Sequence, residues 1–123
     1  MKSKHGIPQN ELDRIVARDK DCVYCHKAMV EASATTKRGD WATIEHLNHI
    51  KEWDSVRSFI RDGKPIAEIV AICCQSCNSR RADRSLRDWF GSEYCVKNDI
   101  NYGTVSSAVK KYIDTYEKTD SSK

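Results

Sequence analysis

Three short segments of this sequence contain side chains that could bind metal or transfer protons. Two C-x-x-C pairs are separated by 48 residues, a Glu-His dipeptide lies between them, and an asparagine follows the second pair directly; these residues are Cys22, Cys25, Glu45, His46, Cys74, Cys77 and Asn78. Thiolates are soft metal ligands, whereas carboxylate and amide oxygens suit hard cations. Imidazole exchanges protons near neutral pH. The pattern predicts a metal staple that holds a separate reactive site.

The two cysteine pairs predict a structural zinc ion. A C-x-x-C turn presents two sulfurs to one ion, and two such turns complete a tetrahedral shell with zinc–sulfur distances of about 2.3 Å. The separation of the pairs greatly exceeds the roughly 15 to 20 residues of an ordinary four-cysteine ribbon, so a substantial insertion lies between them. Cys73 and His26 adjoin the expected ligands and are possible substitutes, but Cys73 is expected to be a buried strand residue and Cys95 a small core residue. A thiol-redox pair is the alternative, but it needs a βαβ context that the sequence lacks.

Length and composition favour one small cytoplasmic domain. The chain has 123 residues, six cysteines and a net charge of +3. No apolar run near its start resembles a signal peptide, so we expect a reducing compartment in which paired cysteines bind metal. No stretch approaches the roughly 20 apolar residues of a membrane span, and no membrane partner is expected.

Positive charge is concentrated just after the second cysteine pair. Between Asn78 and Arg87 there are four arginines and one aspartate, Asp83. A basic face beside a candidate reactive site indicates a phosphate-bearing partner. The alternative is an ordinary solvated helix face.

The expected secondary structure is α+β. A helix should begin near Pro8 and Asn10, and Trp41 to Ile44 should form a short strand that ends at Glu45 and His46. A second helix is predicted around Trp53, Val56 and Ile60, an apolar run of strand length over 66–72, a basic helix from near Asn78, a capping box at Ser85 to Asp88, and a last helix over about 104–118. The predicted layout is a flexible tail over 1–7, one domain over 8–118 and a disordered tail over 119–123. Within the domain, the core covers 22–84 and C-terminal helices cover 85–118.

These motifs together resemble the His-Asn-His (HNH) endonuclease family. The resemblance lies in Cys22-Val-Tyr-Cys25, in Ile44-Glu-His-Leu47, and in the run from Ile72 to Arg81, Ile-Cys-Cys-Gln-Ser-Cys-Asn-Ser-Arg-Arg. It covers about Ile7 to Phe90. It implies a small ββα-metal (His-Me finger) core, in which a β-hairpin and a helix surround one catalytic divalent ion, with two zinc knuckles and flanking helices. The zinc would be purely structural.

The resemblance also implies roles for individual residues. His46 would be the general base that takes a proton from water, and Glu45 and Asn78 would hold Mg²⁺ or Mn²⁺. The partner would be DNA rather than a small molecule, and Arg80, Arg81 and Arg84 would contact its phosphates. One active site per chain implies a nicking endonuclease that works as a monomer or weak homodimer, leaving 5′-phosphate and 3′-hydroxyl ends. A bacterial or phage origin would be typical.

Two positions differ from the family pattern. Glu45 stands where aspartate is commoner, and Ile69 stands where the family has the middle asparagine that tethers the hairpin loop. The tethering role is expected to pass to Asn48, to Glu68 or to backbone groups.

Two other classes of function fit the cysteine pattern. One is an HNH-like zinc domain that binds nucleic acid without cutting it, and the other is a zinc-stapled protein-interaction module. Neither needs oxygen ligands beside an imidazole, so Glu45, His46 and Asn78 are the residues that discriminate among the three.

Overall fold

The computed structural model describes residues 1–4, 6–48 and 53–117, with 53–55 described by their backbone alone. Its helices and strands are, in chain order, α1 (Gln9–Arg18), β1 (Ala42–His46), α2 (Trp53–Arg61), β2 (Val70–Cys74), α3 (Gln75–Arg81), α4 (Leu86–Phe90), α5 (Glu93–Lys97) and α6 (Ser107–Tyr112). Short 3₁₀ turns at Arg38–Asp40 and Ile66–Glu68 precede the two strands, and a π-helical turn at Ile113–Glu117 follows α6. The chain is therefore a small mixed domain of helices and a two-stranded antiparallel sheet.

Helix α1 is amphipathic and packs against β2. Its apolar residues Leu12 and Ile15 recur at helical spacing, and both are buried. The helix ends at a pair of charged residues that hold the strand. Asp19 Oδ2 accepts a hydrogen bond from the backbone N–H of Ile72 at 3.0 Å, and Arg18 donates to the carbonyl of Val70 at 3.0 Å. Because Asp19 is itself buried, its ion pair with Arg18 offsets part of the cost of removing it from water.

Strands β1 and β2 are antiparallel, and each of the five residues in one strand has a partner in the other. This strand pair, whose connection contains α2, is called the hairpin below. Ile44 lies opposite Ile72, and Glu45 lies opposite Ala71. All five residues of β2 are buried, as expected of an apolar strand covered on both faces. Since successive residues of a strand point to opposite faces, Thr43 and Glu45 share one face of β1. His46 lies on the other face.

The chain passes directly from β2 into α3, which packs against the hairpin. The 3₁₀ turn before β1 also lies close to this helix, and a Cβ atom at Gly39 would come within 2.7 Å of Ser76 Oγ. The backbone N–H of Gln75 donates to the carbonyl of Trp41 at 2.8 Å. The start of α3 is therefore held against the beginning of β1.

The C-terminal helices are short, and each begins at a serine cap. The hydroxyls of Ser85, Ser92 and Ser106 accept the N–H groups of residues three positions later, which confirms the cap predicted at Ser85. Glu117 also accepts the free backbone N–H groups at the start of α4, with contacts of 2.9 and 3.1 Å. The predicted last helix over 104–118 is shorter than expected, with its α-helical part confined to α6.

Aromatic packing joins the C-terminal helices to the first cysteine turn. Trp89 is buried and meets Tyr24 edge to face, with their ring centroids 4.9 Å apart. It also stacks on Tyr94 at 6.1 Å. Cys95 is buried in this part of the core, as predicted.

The segment predicted as a flexible tail has defined contacts in the structure. Ile7 is buried, and Gln9 donates from its side-chain amide to the carbonyl of Met1 at 2.8 Å. Gln9 also accepts the N–H of Ser3 at 3.0 Å. Residues 1–4 therefore lie against the domain. The C-terminal tail predicted over 119–123 lies outside the described residues.

Candidate functional site

The four cysteines of the two C-x-x-C pairs converge at one point. Their sulfur atoms all lie within 4.8 Å of one another, and this is the one such cluster of His, Cys, Asp and Glu ligands in the described part of the chain. A tetrahedral zinc ion with bonds of about 2.3 Å requires sulfur atoms about 3.8 Å apart. The distance between Cys25 Sγ and Cys74 Sγ is 3.8 Å. The cluster could therefore hold a metal ion, and its geometry is compatible with structural zinc.

Backbone and side-chain groups contact these sulfurs and hold them in position, as the groups around metal ligands do. The N–H of Tyr24 points at Cys22 Sγ and that of Cys77 at Cys74 Sγ, each at 3.5 Å, while Tyr94 Oη lies 3.4 Å from Cys77 Sγ. Hydrogen bonds to sulfur favour the thiolate form that binds metal. Hydrogen bonds among the four thiols lower the pKa of Cys22 and raise the pKa values of Cys74 and Cys77, because a thiolate at one position is stabilised by thiols that stay protonated at the others. Cys73 points away from the cluster and His26 contacts the carbonyl of Thr104, so neither replaces a predicted ligand.

Glu45 is buried and belongs to a polar cluster with Tyr24 and Arg81. Its Oε2 accepts a hydrogen bond from the Tyr24 hydroxyl and an ion-paired contact of 2.9 Å from Arg81. Burial raises the pKa of Glu45, and the guanidinium of Arg81 opposes that rise. Both hydrogen bonds fall on Oε2. Oε1 makes none within the described residues.

Arg81 holds the end of β1 in place. Only 1% of Arg81 is exposed, and besides Glu45 it donates to the carbonyls of His46 at 3.2 Å, Leu47 at 2.7 Å and Arg84 at 2.8 Å. Each of the three guanidinium nitrogens of Arg81 therefore donates a hydrogen bond within the protein. The predicted contact of Arg81 with phosphate is incompatible with this burial, because the side chain does not reach the surface.

We expect replacement of Arg81 by methionine to destabilise the domain by about 3–5 kcal/mol, because Glu45 would remain buried without its counter-charge. The matched control is Arg80→Met on the same helix, where the exposed guanidinium lies over the Tyr94 ring at 5.4 Å. That change should cost about 1 kcal/mol or less. Urea unfolding of both variants checks the prediction. Equal stability of the two variants would contradict it, whereas Arg81→Met/Glu45→Leu should recover part of the loss.

Asn78 is anchored to β1 in a defined orientation. Its Nδ2 donates to Thr43 Oγ1 at 2.9 Å and to the carbonyl of Ile44 at 3.2 Å. The Thr43 hydroxyl donates its one hydrogen to the carbonyl of Cys73, so it can only accept a hydrogen bond from Asn78. The amide nitrogen must therefore face the strand. This leaves the Asn78 carbonyl oxygen without a hydrogen bond among the described residues.

His46 is the last residue of β1. The ring is half-buried, with both nitrogens shielded from solvent, and strand alternation directs it to the face opposite Glu45. Its position relative to Glu45 is constrained through the backbone, since Arg81 contacts both residues. No described hydrogen bond joins the side chains of His46, Glu45 and Asn78 directly.

The end of β1 is tethered by the backbone at Ile69. The carbonyl of Ile69 accepts the N–H of Leu47 at 2.9 Å, so a backbone group tethers the chain just beyond β1. Glu68 instead accepts from Tyr116 at 2.7 Å, and the buried Oδ1 of Asn48 has no hydrogen bond among the described residues. Arg81 was not among the candidates for this role. Its position three residues after Asn78, on the same helix face, is the signal that could have found it.

Exposed arginines remain on and just beyond α3. Arg80 and Arg84 are both exposed, and Arg84 Nη2 donates to the carbonyl of Arg80 at 2.6 Å. Arg87 is also exposed, but its Nε donates to the carbonyl of Glu117. Two of the three arginines predicted to contact nucleic acid are therefore at the surface.

Comparison of the chain with protein-family models, with curated proteins and with solved structures found no match. Among the described helices, none combines the length and apolar character that crossing a membrane requires.

Proposed function

We propose that this protein is a metal-dependent DNA endonuclease of the HNH type, in which β1, β2 and α3 form a ββα-metal core stapled by zinc. It would hydrolyse phosphodiester bonds and nick one strand per active site. His46 would act as general base, and Glu45 and Asn78 would hold Mg²⁺ or Mn²⁺.

The observation that carries this proposal is the attachment of Asn78 to β1. Its hydrogen bonds reach Thr43 and Ile44, the two residues that immediately precede Glu45 and His46. An amide from the helix that carries Cys77 is thus fixed beside the strand that carries the acid and the imidazole. A zinc-stapled interaction module has no need of this arrangement.

Glu45 and Asn78 offer oxygen atoms of the kind that a hard divalent ion binds, but the charge of Arg81 affects how tightly the ion can be held. Glu45 Oε1 and Asn78 Oδ1 are oxygen donors, and the second carboxylate oxygen of Glu45 is anchored by Tyr24 and Arg81, as metal-binding carboxylates commonly are. However, Arg81 neutralises the charge of Glu45. Magnesium is usually held by one or two carboxylates together with substrate phosphates. We therefore expect tight binding of the ion only when a phosphodiester is present.

The residues of this chain would divide the chemistry as follows. His46 would accept the proton of the attacking water, and Arg81 would keep the backbone at His46 and the carboxylate of Glu45 in fixed positions. Arg80 and Arg84 would attract the DNA backbone from the exposed end of α3. A divalent ion at Glu45 and Asn78 would stabilise negative charge on the phosphate. The expected ends are 5′-phosphate and 3′-hydroxyl.

The Glu45–Arg81 ion pair favours a second candidate function. The guanidinium of Arg81 already balances the negative charge of Glu45, so no metal ion is required for that purpose. Glu45 is also only 4% exposed, which limits access of an ion to its carboxylate. An HNH-like zinc domain that binds nucleic acid without cutting it would have this property. Its basic face would still bind phosphates.

Incubation of supercoiled plasmid with purified protein separates the two candidates. We expect conversion to the nicked circle with added Mg²⁺ or Mn²⁺ and no conversion without them. The zinc content must be the same in both samples, since the staple must remain intact. Retarded but uncut plasmid in the presence of either ion would support the binding domain and refute the endonuclease.

A further inference from the structure

We propose that a groove beside Asn78 binds a single-stranded segment of nucleic acid, with one base against Trp41 and the backbone phosphates near Lys2 and Lys4. This deepens the proposed function, because the strand would lead to the candidate catalytic residues. The substrate would then contain unpaired nucleotides next to the cleaved bond, as the locally melted segments of a supercoiled plasmid do.

The groove lies between the N-terminal segment and the hairpin. Its volume is about 430 Å³, within the range of about 300–1,000 Å³ typical of small-ligand sites. Trp41, Thr43 and Ile44 line it from β1 and the residue before it, and Gln75 and Asn78 line it from α3. The Asn78 amide, which is attached to Thr43 and Ile44, therefore lies on the wall of this groove.

The charge of the groove suits a phosphodiester backbone. Lys2 and Lys4 line it and are both exposed, and none of its described lining residues is acidic. Binding of a polyanion needs cations that are not already neutralised by nearby carboxylates. Neither lysine forms an ion pair among the described residues.

The lysines are carried by a segment with fixed contacts. Gln9 on α1 bonds to Met1 and Ser3, on either side of Lys2, and Ile7 is buried beyond Lys4. The two ammonium groups thus start from a backbone held at the groove. This lowers the conformational entropy that would be lost when they bind a ligand.

Trp41 supplies an aromatic surface of fixed orientation. The residue is half-buried, and its Nε1 donates to Thr36 Oγ1 at 2.7 Å, which satisfies the polar edge of the indole. Single-strand binding sites combine a basic groove with aromatic side chains on which bases stack. A fully paired duplex keeps its bases stacked on one another and cannot offer one to Trp41, so the groove favours unpaired nucleotides.

Fluorescence anisotropy with a labelled 12-nucleotide oligothymidylate, in buffer without added Mg²⁺ or Mn²⁺, tests the proposal. The variants are Lys2→Ala/Lys4→Ala and Trp41→Leu, with Lys97→Ala/Lys111→Ala as a control that removes the same charge from exposed positions elsewhere. The lysine pair should lower the slope of log affinity against log salt by about 1.4, since each single-strand phosphate contact contributes about 0.7. Trp41→Leu should weaken binding by about fivefold to 150-fold and leave the salt slope unchanged.

The results that would refute the groove differ from those that would refute the endonuclease proposal. If both variants bind like the control, or if a 12-base-pair duplex binds as tightly as the single strand with the same losses, the groove proposal is wrong, whatever the plasmid assay shows. If wild type shows the expected binding but never cuts, the groove stands and the endonuclease proposal fails. Should Trp41→Leu lose its zinc, the exposed lysine pair still decides the matter.

Discussion

Replacement of Cys22 by serine is expected to unfold the domain. The four cysteine sulfurs lie within 4.8 Å of one another, and one of the two cysteine turns comes from each end of a 48-residue insertion. Apparent binding energies for structural zinc are about 10–16 kcal/mol, whereas a small domain has a total stability of about 5–15 kcal/mol. Loss of one thiolate ligand would therefore remove a contribution comparable to the whole stability.

The matched control is Cys95→Ser, which makes the same chemical change at a buried cysteine outside the cluster. Wild type and Cys95→Ser should contain about one zinc per chain and show a cooperative thermal transition. Cys22→Ser should contain little zinc and show no transition. Elemental analysis and circular dichroism make the measurement. A folded, metal-free Cys22→Ser protein would show that the cysteine cluster does not hold the fold together.

Replacement of His46 by asparagine is expected to lower plasmid nicking by about 10² to 10⁴-fold. General-base catalysis by a positioned side chain contributes a factor of this size, and an amide cannot accept the proton. The backbone at this position is held independently of the ring, because Arg81 contacts the His46 carbonyl at 3.2 Å. The variant should therefore keep its fold, its zinc and its affinity for DNA.

The control for this experiment is His26→Asn, at an exposed histidine beside the cysteine cluster. His26 has a φ of 66°, a backbone conformation that asparagine tolerates well. Its nicking rate should stay within a small factor of wild type. Equal rates for the two variants would exclude His46 as the base. Loss of DNA binding by His46→Asn alone would instead assign the ring a structural role.

The cluster of four cysteines illustrates how much a local sequence pattern can predict. Each C-x-x-C turn is a local structure, and sulfur chemistry requires two such turns to meet if one tetrahedral ion is to be bound. The pairing of Cys22 and Cys25 with Cys74 and Cys77 could therefore be predicted across the long insertion. The serine cap at Ser85 was predictable for a similar reason, since a capping hydrogen bond spans only three residues.

The polar cluster around Glu45 could not be predicted in the same way. In the sequence, Arg81 looks like its exposed neighbours Arg80 and Arg84, and the basic run indicated a phosphate-binding face. Burial depends on which side of α3 faces the hairpin, and that is set by packing between residues more than 30 positions apart. The same packing places Arg81 and the carbonyl of Ile69 where they hold the end of β1.

The sequence by itself determined which four cysteines cluster, the mixed α+β class and the segments that carry an acid, an imidazole and an amide, because cysteine spacing, capping and hydrophobic periodicity are local properties. Only the tertiary structure decided that Glu45 is ion-paired with Arg81, that the Asn78 amide faces β1 with its nitrogen, and that Lys2 and Lys4 lie beside it. These features depend on distant segments being desolvated together. A buried charge is stable only when the fold places an opposite charge next to it, and that partner can lie far away in the sequence.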